Sequence, residues 1–239
     1  MSLRLTGLKN ACLKAIEDLG RERTTIADVG CDHGFLGIDI LKEQKSSLVN
    51  VIASDLRTGP LSAAAENVRS AGLEERIEMR LCDGLSGYRP GEADIIVISG
   101  MGAQQIASIL DEGQKVVAKA SFLVLSPHSK PEYMRYYGRV RGLRQTDERV
   151  ICEEPGYYHI MTFSVDDFKA EGKVTEPRVF AYSDTELFGK KPDASELERK
   201  KAQIARALDQ LKSTGGAGND ARIRELEFLL QKTIEHMEH

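Results

Sequence analysis

Residues 27–36 read ADVGCDHGFL. The stretch closes a β-branched run, TTIADVG, and opens a helical pattern, GFLGIDILKEQ. A strand that turns tightly into a helix makes one wall of a nucleotide-type pocket. Gly30 lets backbone approach a ligand, and the helix starting near Gly34 aims free N–H groups at it. A dinucleotide fingerprint counted from Gly30 needs glycines at 32 and 35, where Asp32 and Phe35 stand, so an NAD-linked oxidoreductase fails on its own motif. An acid followed by alternate glycines fits better. Asp28, Gly30 and Gly34 satisfy that pattern, and Asp32 alone departs from it.

Outward from this turn the chain repeats one theme. NVIASD reads as a second strand and TGPLSAAAENVRSAG as a helix opened by Thr58 and Pro60 and closed by Gly72. RIEMRLCDG and ADIIVISG read as the third and fourth strands, with the helical pattern QQIASILDEG after the fourth. SFLVLSP is a fifth strand and PEYMRYYGRV a helix. Strands alternating with helices require crossover connections and hence a parallel sheet. ERVICEE and YYHIMTFSV are separated only by a turn with Pro155 and Gly156, which predicts a closing antiparallel hairpin. The expected fold is therefore α/β: a doubly wound, mostly parallel sheet ending in an antiparallel hairpin. An amphipathic N-terminal helix with Leu5, Leu8, Cys12, Ile16 and Leu19 on one face precedes it.

The domain is expected over 1–165, followed by a charged, Gly- and Pro-punctuated linker over 166–192. Residues 193–239 then form an antiparallel helical hairpin around GGAGN. Near-heptad spacing of Leu197, Ile204, Leu208 and Leu211, and of Ile223, Leu226, Leu230 and Ile234, supports it. That hairpin is read as a packing appendage, a homodimer element or a substrate-binding arm.

The 239 residues are 41% hydrophobic and 29% charged, the composition of a protein with a real core. No uninterrupted apolar run approaches a membrane span, and the N-terminus lacks the pattern of a signal peptide. The four cysteines form no CxxC pair, so free thiols in a reducing cytoplasm are expected and no metal site is. A net charge of −4 excludes a protein coated in basic charge but leaves room for a local basic face.

In a doubly wound sheet ligands bind outside the carboxyl ends of the strands. The second strand ends at Asp55, followed by Leu56, and a carboxylate there can accept both ribose hydroxyls. The third ends at Asp83 and Gly84, and the fourth at Gly100, Met101 and Gly102, small enough for a flat base to come close. Each aspartate taken singly also reads as the cap of the next helix. The register of all four strand ends favours a site.

These residues resemble a known family, the bacterial tRNA adenine-N1 methyltransferases that modify position 22 in the D-arm. The resemblance rests on DVGCDHGFLGIDIL, SDLRTGPLSAAAENV, RLCDGL and VISGMGAQQIASIL, and continues in LVLSPHSKPEYMR and ERVICEEPGYYHIM. It covers roughly residues 3–165. Ala103 stands where that family's GMGG turn has its last glycine, and Ser126-Pro127-His128 stands where it has a Gln-Pro-Asn-like sequence. The resemblance implies a class I methyltransferase fold, S-adenosylmethionine as cofactor, tRNA as partner, a cytoplasmic setting, and a cofactor site lined by Asp32 and His33. A carboxylate at 32 suits the cofactor's ammonium or sulfonium, as a glycine does not. Asp32 is the first candidate for electrostatic catalysis and His128 the second. Segment 130–144, KPEYMRYYGRVRGLR, supplies the candidate RNA contacts Lys130, Arg135, Arg139, Arg141 and Arg144, with Tyr133, Tyr136 and Tyr137 as stacking surfaces. Arg57 and the Lys190–Lys191 pair add positive charge. The competing reading of that segment is a solvated helix whose tyrosines pack on the sheet. Two other functions stay open: a methyltransferase with another RNA, a protein or a small molecule as acceptor, and a catalytically silent binding scaffold.

Overall fold

The computed structural model describes residues 2–44, 48–154, 156–189, 193–214 and 219–238. Pro155, the Lys190–Lys191 pair and the glycine-rich turn at 215–218 lie outside the described residues. Contacts divide the chain into two compact units, Met1–Val174 and Thr175–His239.

The first unit opens with α1 (Leu3–Leu19), whose N-terminus is capped by the Ser2 hydroxyl. There follow β1 (Thr24–Val29), α2 (Phe35–Glu43), β2 (Val49–Asp55), α3 (Thr58–Ser70), β3 (Ile77–Leu81) and β4 (Ile95–Met101). Then come α4 (Ala103–Glu112), the single turn α5 (Gln114–Val117), β5 (Phe122–Pro127), α6 (Pro131–Val140), β6 (Arg144–Glu153) and β7 (Gly156–Ser164). The sheet order is β3-β2-β1-β4-β5-β7-β6. The first five strands pair in parallel, and β7 is antiparallel to both β5 and β6. Sequence order reverses between β1 and β4, which is where such sheets open a ligand crevice.

Successive residues of the central strands supply two cores, as the two-residue period of a strand requires. On one face Ile26, Val51, Val97 and Val124 pack with Leu8, Ile40 and Val68 of α1, α2 and α3. On the other, Ala27, Ile52, Ile98 and Leu125 pack with Ile106, Leu110 and Tyr137 of α4 and α6. Covering both faces explains why β1, β2, β4 and β5 read as nearly continuous apolar runs. The closing hairpin holds the start of α1, because Glu153 of β6 accepts the Leu3 and Arg4 amides at 2.9 and 3.1 Å.

The first unit runs past the boundary expected at 165. Arg141 draws the carbonyls of Lys169, Glu171 and Gly172 onto the domain, and Asp111 accepts the Val174 amide at 2.9 Å. The second unit likewise begins within the expected linker, with a 3-10 turn at Val179–Ala181 and α7 (Asp184–Phe188), opened by a Ser183–Glu186 capping box. Phe188 stacks on His236, and Phe180 meets Phe228 edge-on. Its two long helices, α8 (Ala194–Thr214) and α9 (Asp220–Met237), join through Ile204, Leu208 and Leu226. Among the described residues no helix is long and apolar enough to cross a membrane.

Candidate active site

A cleft of about 780 Å³ opens at the carboxyl edge of the sheet, lined by the ends of β1, β2, β3, β4 and β5 and the first turn of α1. Its floor is Asp28 on β1. That side chain is buried, and its Oδ2 has no hydrogen-bond partner among the described residues. Burial, with the Asp55 charge second, pushes the Asp28 carboxyl up to about 7.

The loop after β1 is pinned by paired amides: Gly30 and Cys31 both donate to the Ser54 carbonyl at 2.8 Å. Gly30 has φ +77°, and a Cβ there would come within 2.4 Å of the Met101 methyl. Asp32 also sits in the left-handed region, at φ +51°. The backbone therefore keeps the conformation a glycine would adopt, while the side chain adds a carboxylate at the cleft. Aspartate tolerates this conformation better than most residues but at some cost. His33 Nε2 lies 3.8 Å from the Asp32 carboxylate, and its ring stacks on Phe35 at 5.7 Å. Asn67 of α3 holds the loop through the His33 carbonyl at 3.0 Å.

Asp55 closes β2 and accepts the Arg57 amide at 2.9 Å. Leu56 and Phe35 leave apolar surface exposed beside it. Asp83 and Gly84 follow β3, and Gly84 packs its φ +51° turn against Ile109. On the other side, β4 shifts register against β5 between Ser99 and Met101. Gly100 carries that irregularity at φ +78°, the kind of local bulge that re-aims groups beside a site. Across from it, His128 follows β5, and its amide donates to the Met101 carbonyl at 2.9 Å. Partial burial first, and the nearby Arg4 charge second, lower the His128 pKa below its ordinary value.

A family model described as a methyltransferase domain matches residues 10–161. The chain belongs to the methyltransferase-domain family. The tRNA (adenine(22)-N(1))-methyltransferase of Bacillus subtilis is 31% identical over 142 residues, which is 59% of this chain and 59% of that protein. The match thus spans less than two thirds of that curated relative. An uncharacterized protein of Listeria monocytogenes serotype 4b shares the fold at a TM-score of 0.80 and 26% identity, covering 98% of both chains. TrmK of M. capricolum, solved with the cofactor product S-adenosylhomocysteine, superposes at a TM-score of 0.73 and 22% identity, over 100% of this chain and 98% of that one.

Within this methyltransferase domain, the structure brings Asp28, Gly30, Asp32, His33, Asp55, Leu56, Asp83, Gly84, Gly100, Met101 and His128 to one cleft. Gly34 and Gly102 are not among its lining residues. Gly34 (φ +71°) faces Ala64 of α3, and Gly102 is the N-cap of α4. Both shape the walls from behind.

The predicted RNA-binding segment needs correction. Arg135 and Arg141 are buried, at 6% and 1% exposure, and do not face solvent. Arg135 is held by the Glu148 carboxylate, which also accepts the His159 ring N–H. Arg141 is held by Asp111 and three carbonyls of the 169–172 segment. Tyr133 and Tyr137 lie in the core, and the Tyr137 hydroxyl donates to Asp111 at 2.9 Å. A basic helix with an apolar interleave looked like a nucleic-acid face because sequence does not show that acidic partners on α4 and β6 sit beneath it. Lys130 and Arg139 stay exposed, Arg139 over the Tyr136 ring at 5.1 Å. Arg144 is exposed too, paired with Asp166 at 2.9 Å.

Sequence reading missed Arg4. Its guanidinium enters the cleft and lies 5.0 Å from the Tyr158 ring centroid, with Nε buried and without a hydrogen-bond partner among the described residues. Nothing in the periodicity of α1 signals that its first turn reaches the carboxyl edge of the sheet. That placement comes from Glu153, about 150 residues along the chain.

Proposed function

We propose that the chain transfers a methyl group from S-adenosylmethionine to N1 of adenine 22 in the D-arm of tRNA. The observation that carries this reading is the row of carboxylates in one cleft: Asp28, Asp32, Asp55 and Asp83 end or follow three neighbouring strands. The residues fit that cofactor. The unpartnered Asp28 oxygen is a waiting acceptor for an ammonium group. Asp55 stands where ribose hydroxyls are held in doubly wound folds. Asp83 suits an exocyclic amine, and the exposed faces of Leu56 and Phe35 suit a flat ring. The activity named for the Bacillus subtilis relative and the cofactor product in the M. capricolum structure point the same way.

When bound, the cofactor supplies an electrophilic methyl group. The chain's own task is alignment. Adenine N1 carries a lone pair at neutral pH, so no proton has to be removed before attack. Holding both partners in register contributes most of the acceleration, for which aligned intramolecular reactions gain about 7–11 kcal/mol. Asp32, steadied by His33, offers negative charge near the positive centre and near the cationic product. Unstacking the target base from the tRNA fold costs a few kcal/mol, and Lys130 and Arg139 are the proposed phosphate contacts that offset it. The second unit is the proposed homodimer element, and the cytoplasm the proposed setting.

The test is transfer of labelled methyl from S-adenosylmethionine to unmodified tRNA transcripts, with the product nucleoside identified after digestion. 1-Methyladenosine supports the reading. Measurable cofactor binding without transfer moves the acceptor elsewhere, and no cofactor binding returns the chain to a silent scaffold.

A further inference from the structure

Four carboxylates line the cleft, Asp28, Asp32, Asp55 and Asp83, together with the guanidinium groups of Arg4 and Arg57. The two arginines are placed differently. Arg57 follows β2 and stands 3.5 Å from Asp55. Arg4 comes from the first turn of α1 and reaches the end of β4, where a Cβ on Gly100 would stand 3.4 Å from one of its nitrogens. Its guanidinium lies 5.0 Å from the Tyr158 ring centroid, and its buried Nε has no hydrogen-bond partner among the described residues. Glu153 is the nearby acid, but its two carboxylate oxygens accept the Leu3 and Arg4 amides at 2.9 and 3.1 Å. A half-buried guanidinium loses hydration, and without a carboxylate against it nothing compensates that loss. The position calls for an anion.

Which anion follows from the order of the strands. β3, β2, β1 and β4 are neighbours in that sequence across the sheet. Adjacent strands stand about 4.8 Å apart, so the ends of β3 and β4 are separated by about 14 Å. That is the span of an adenosine carrying an extended four-carbon amino-acid tail. With ribose at Asp55 and adenine toward Asp83, the tail runs past Asp28 to the end of β4. It carries an ammonium group and a carboxylate. Asp28 suits the first and repels the second, as the other three aspartates do. Arg4, at the β4 end, supplies the opposite charge, and a guanidinium fork matches a carboxylate in shape as well.

We propose that Arg4 binds the carboxylate of the cofactor's amino-acid end, making it and Asp28 the two poles of a zwitterion site. The inference rests on the cofactor reading above and is independent of which acceptor is methylated. It also gives the anchoring of α1 by Glu153 a purpose, since the helix start carries a cofactor ligand.

The experiment is calorimetric titration with two ligands, S-adenosylhomocysteine and its decarboxylated analogue, which keeps the ammonium group. The wild-type protein is expected to bind the analogue about 10- to 100-fold more weakly, the range for a hydrogen-bonded charge pair. Arg4→Ala should lose a similar factor on S-adenosylhomocysteine and nothing on the analogue, so that the preference disappears. Arg4→Lys keeps the charge without the fork and should retain part of it. Arg4→Met keeps an apolar stem over Tyr158 without the charge, and decides if Arg4→Ala fails to fold. Equal wild-type affinities for the two ligands overturn the proposal. So does an equal loss on both in Arg4→Ala, which marks a structural residue. Unchanged affinity for both ligands alongside weakened tRNA binding also overturns it and assigns the guanidinium to an RNA phosphate. Folded wild-type protein that binds neither ligand overturns the cofactor reading itself, and this inference with it.

Discussion

Asp28 and Asp55 end neighbouring parallel strands, and the Asp55 charge adds to burial in lifting the Asp28 carboxyl to about 7. A ligand ammonium placed against Asp28 favours the ionised form. Binding then releases a proton below that value. Cofactor affinity should therefore fall as pH drops from 8 to 6, by up to about tenfold per pH unit below the Asp28 pKa. Asp28→Asn should weaken binding and flatten the profile. Calorimetric titration across pH reads both. The stability sign is opposite to that of an ordinary paired carboxylate. The unfolded chain has the lower pKa, so the contribution is full below the unfolded value and is lost as pH rises through about 7.

Asp32 separates a backbone effect from a charge effect. At φ +51°, Asp32→Gly should relieve strain and raise stability by about 1 kcal/mol, while Asp32→Ala should gain nothing. Both remove the carboxylate, so both should weaken cofactor binding and turnover about 10- to 100-fold, the scale of one charge-assisted contact. Thermal denaturation and cofactor titration of the two variants read these separately. Unchanged affinity and turnover in both would mean that Asp32 serves the turn alone.

The Arg135–Glu148–His159 cluster gives a stability prediction that the RNA-binding reading of Arg135 does not. Burial raises the Glu148 carboxyl, but hydrogen bonds from His159 and Arg135 outweigh it and hold the group at about 2. A depressed carboxylate contributes stability above its unfolded pKa that is lost as pH falls toward 2. Glu148→Ala leaves the Arg135 guanidinium buried without its partner, at a cost of about 3–5 kcal/mol. Denaturant unfolding at pH 7 measures it. Arg135→Ala should be similarly destabilised.

Legibility followed sequence distance. The strand–turn–helix at 27–36, the acids after β2 and β3 and the hairpin at β6–β7 are local patterns, set by propensity, turn chemistry and residue period, and each appears in the structure as read. What escaped depends on contacts across more than a hundred residues or between elements. Arg4 reaches the cleft only because Glu153 anchors the start of α1. Arg135 and Arg141 turn inward only because Glu148 and Asp111 are placed beneath them. Residues 166–174 looked like linker because their low hydrophobicity hides backbone carbonyls that Arg141 collects.

For tRNA, the exposed cations and the buried ones should behave differently. Lys130→Ala and Arg139→Ala should each weaken tRNA binding and lower the salt slope by about 1, with melting temperature unchanged. Binding measured from 50 to 200 mM salt tests this. A normal slope in both variants would place the RNA elsewhere on the surface.

The measurement that bears most directly on the whole account maps the methyl group on a tRNA transcript incubated with the protein and S-adenosylmethionine. The account predicts 1-methyladenosine at position 22 and its loss when that adenine is replaced by guanine. A methyl group at another nucleotide, or none while the cofactor binds at the cleft, would contradict it.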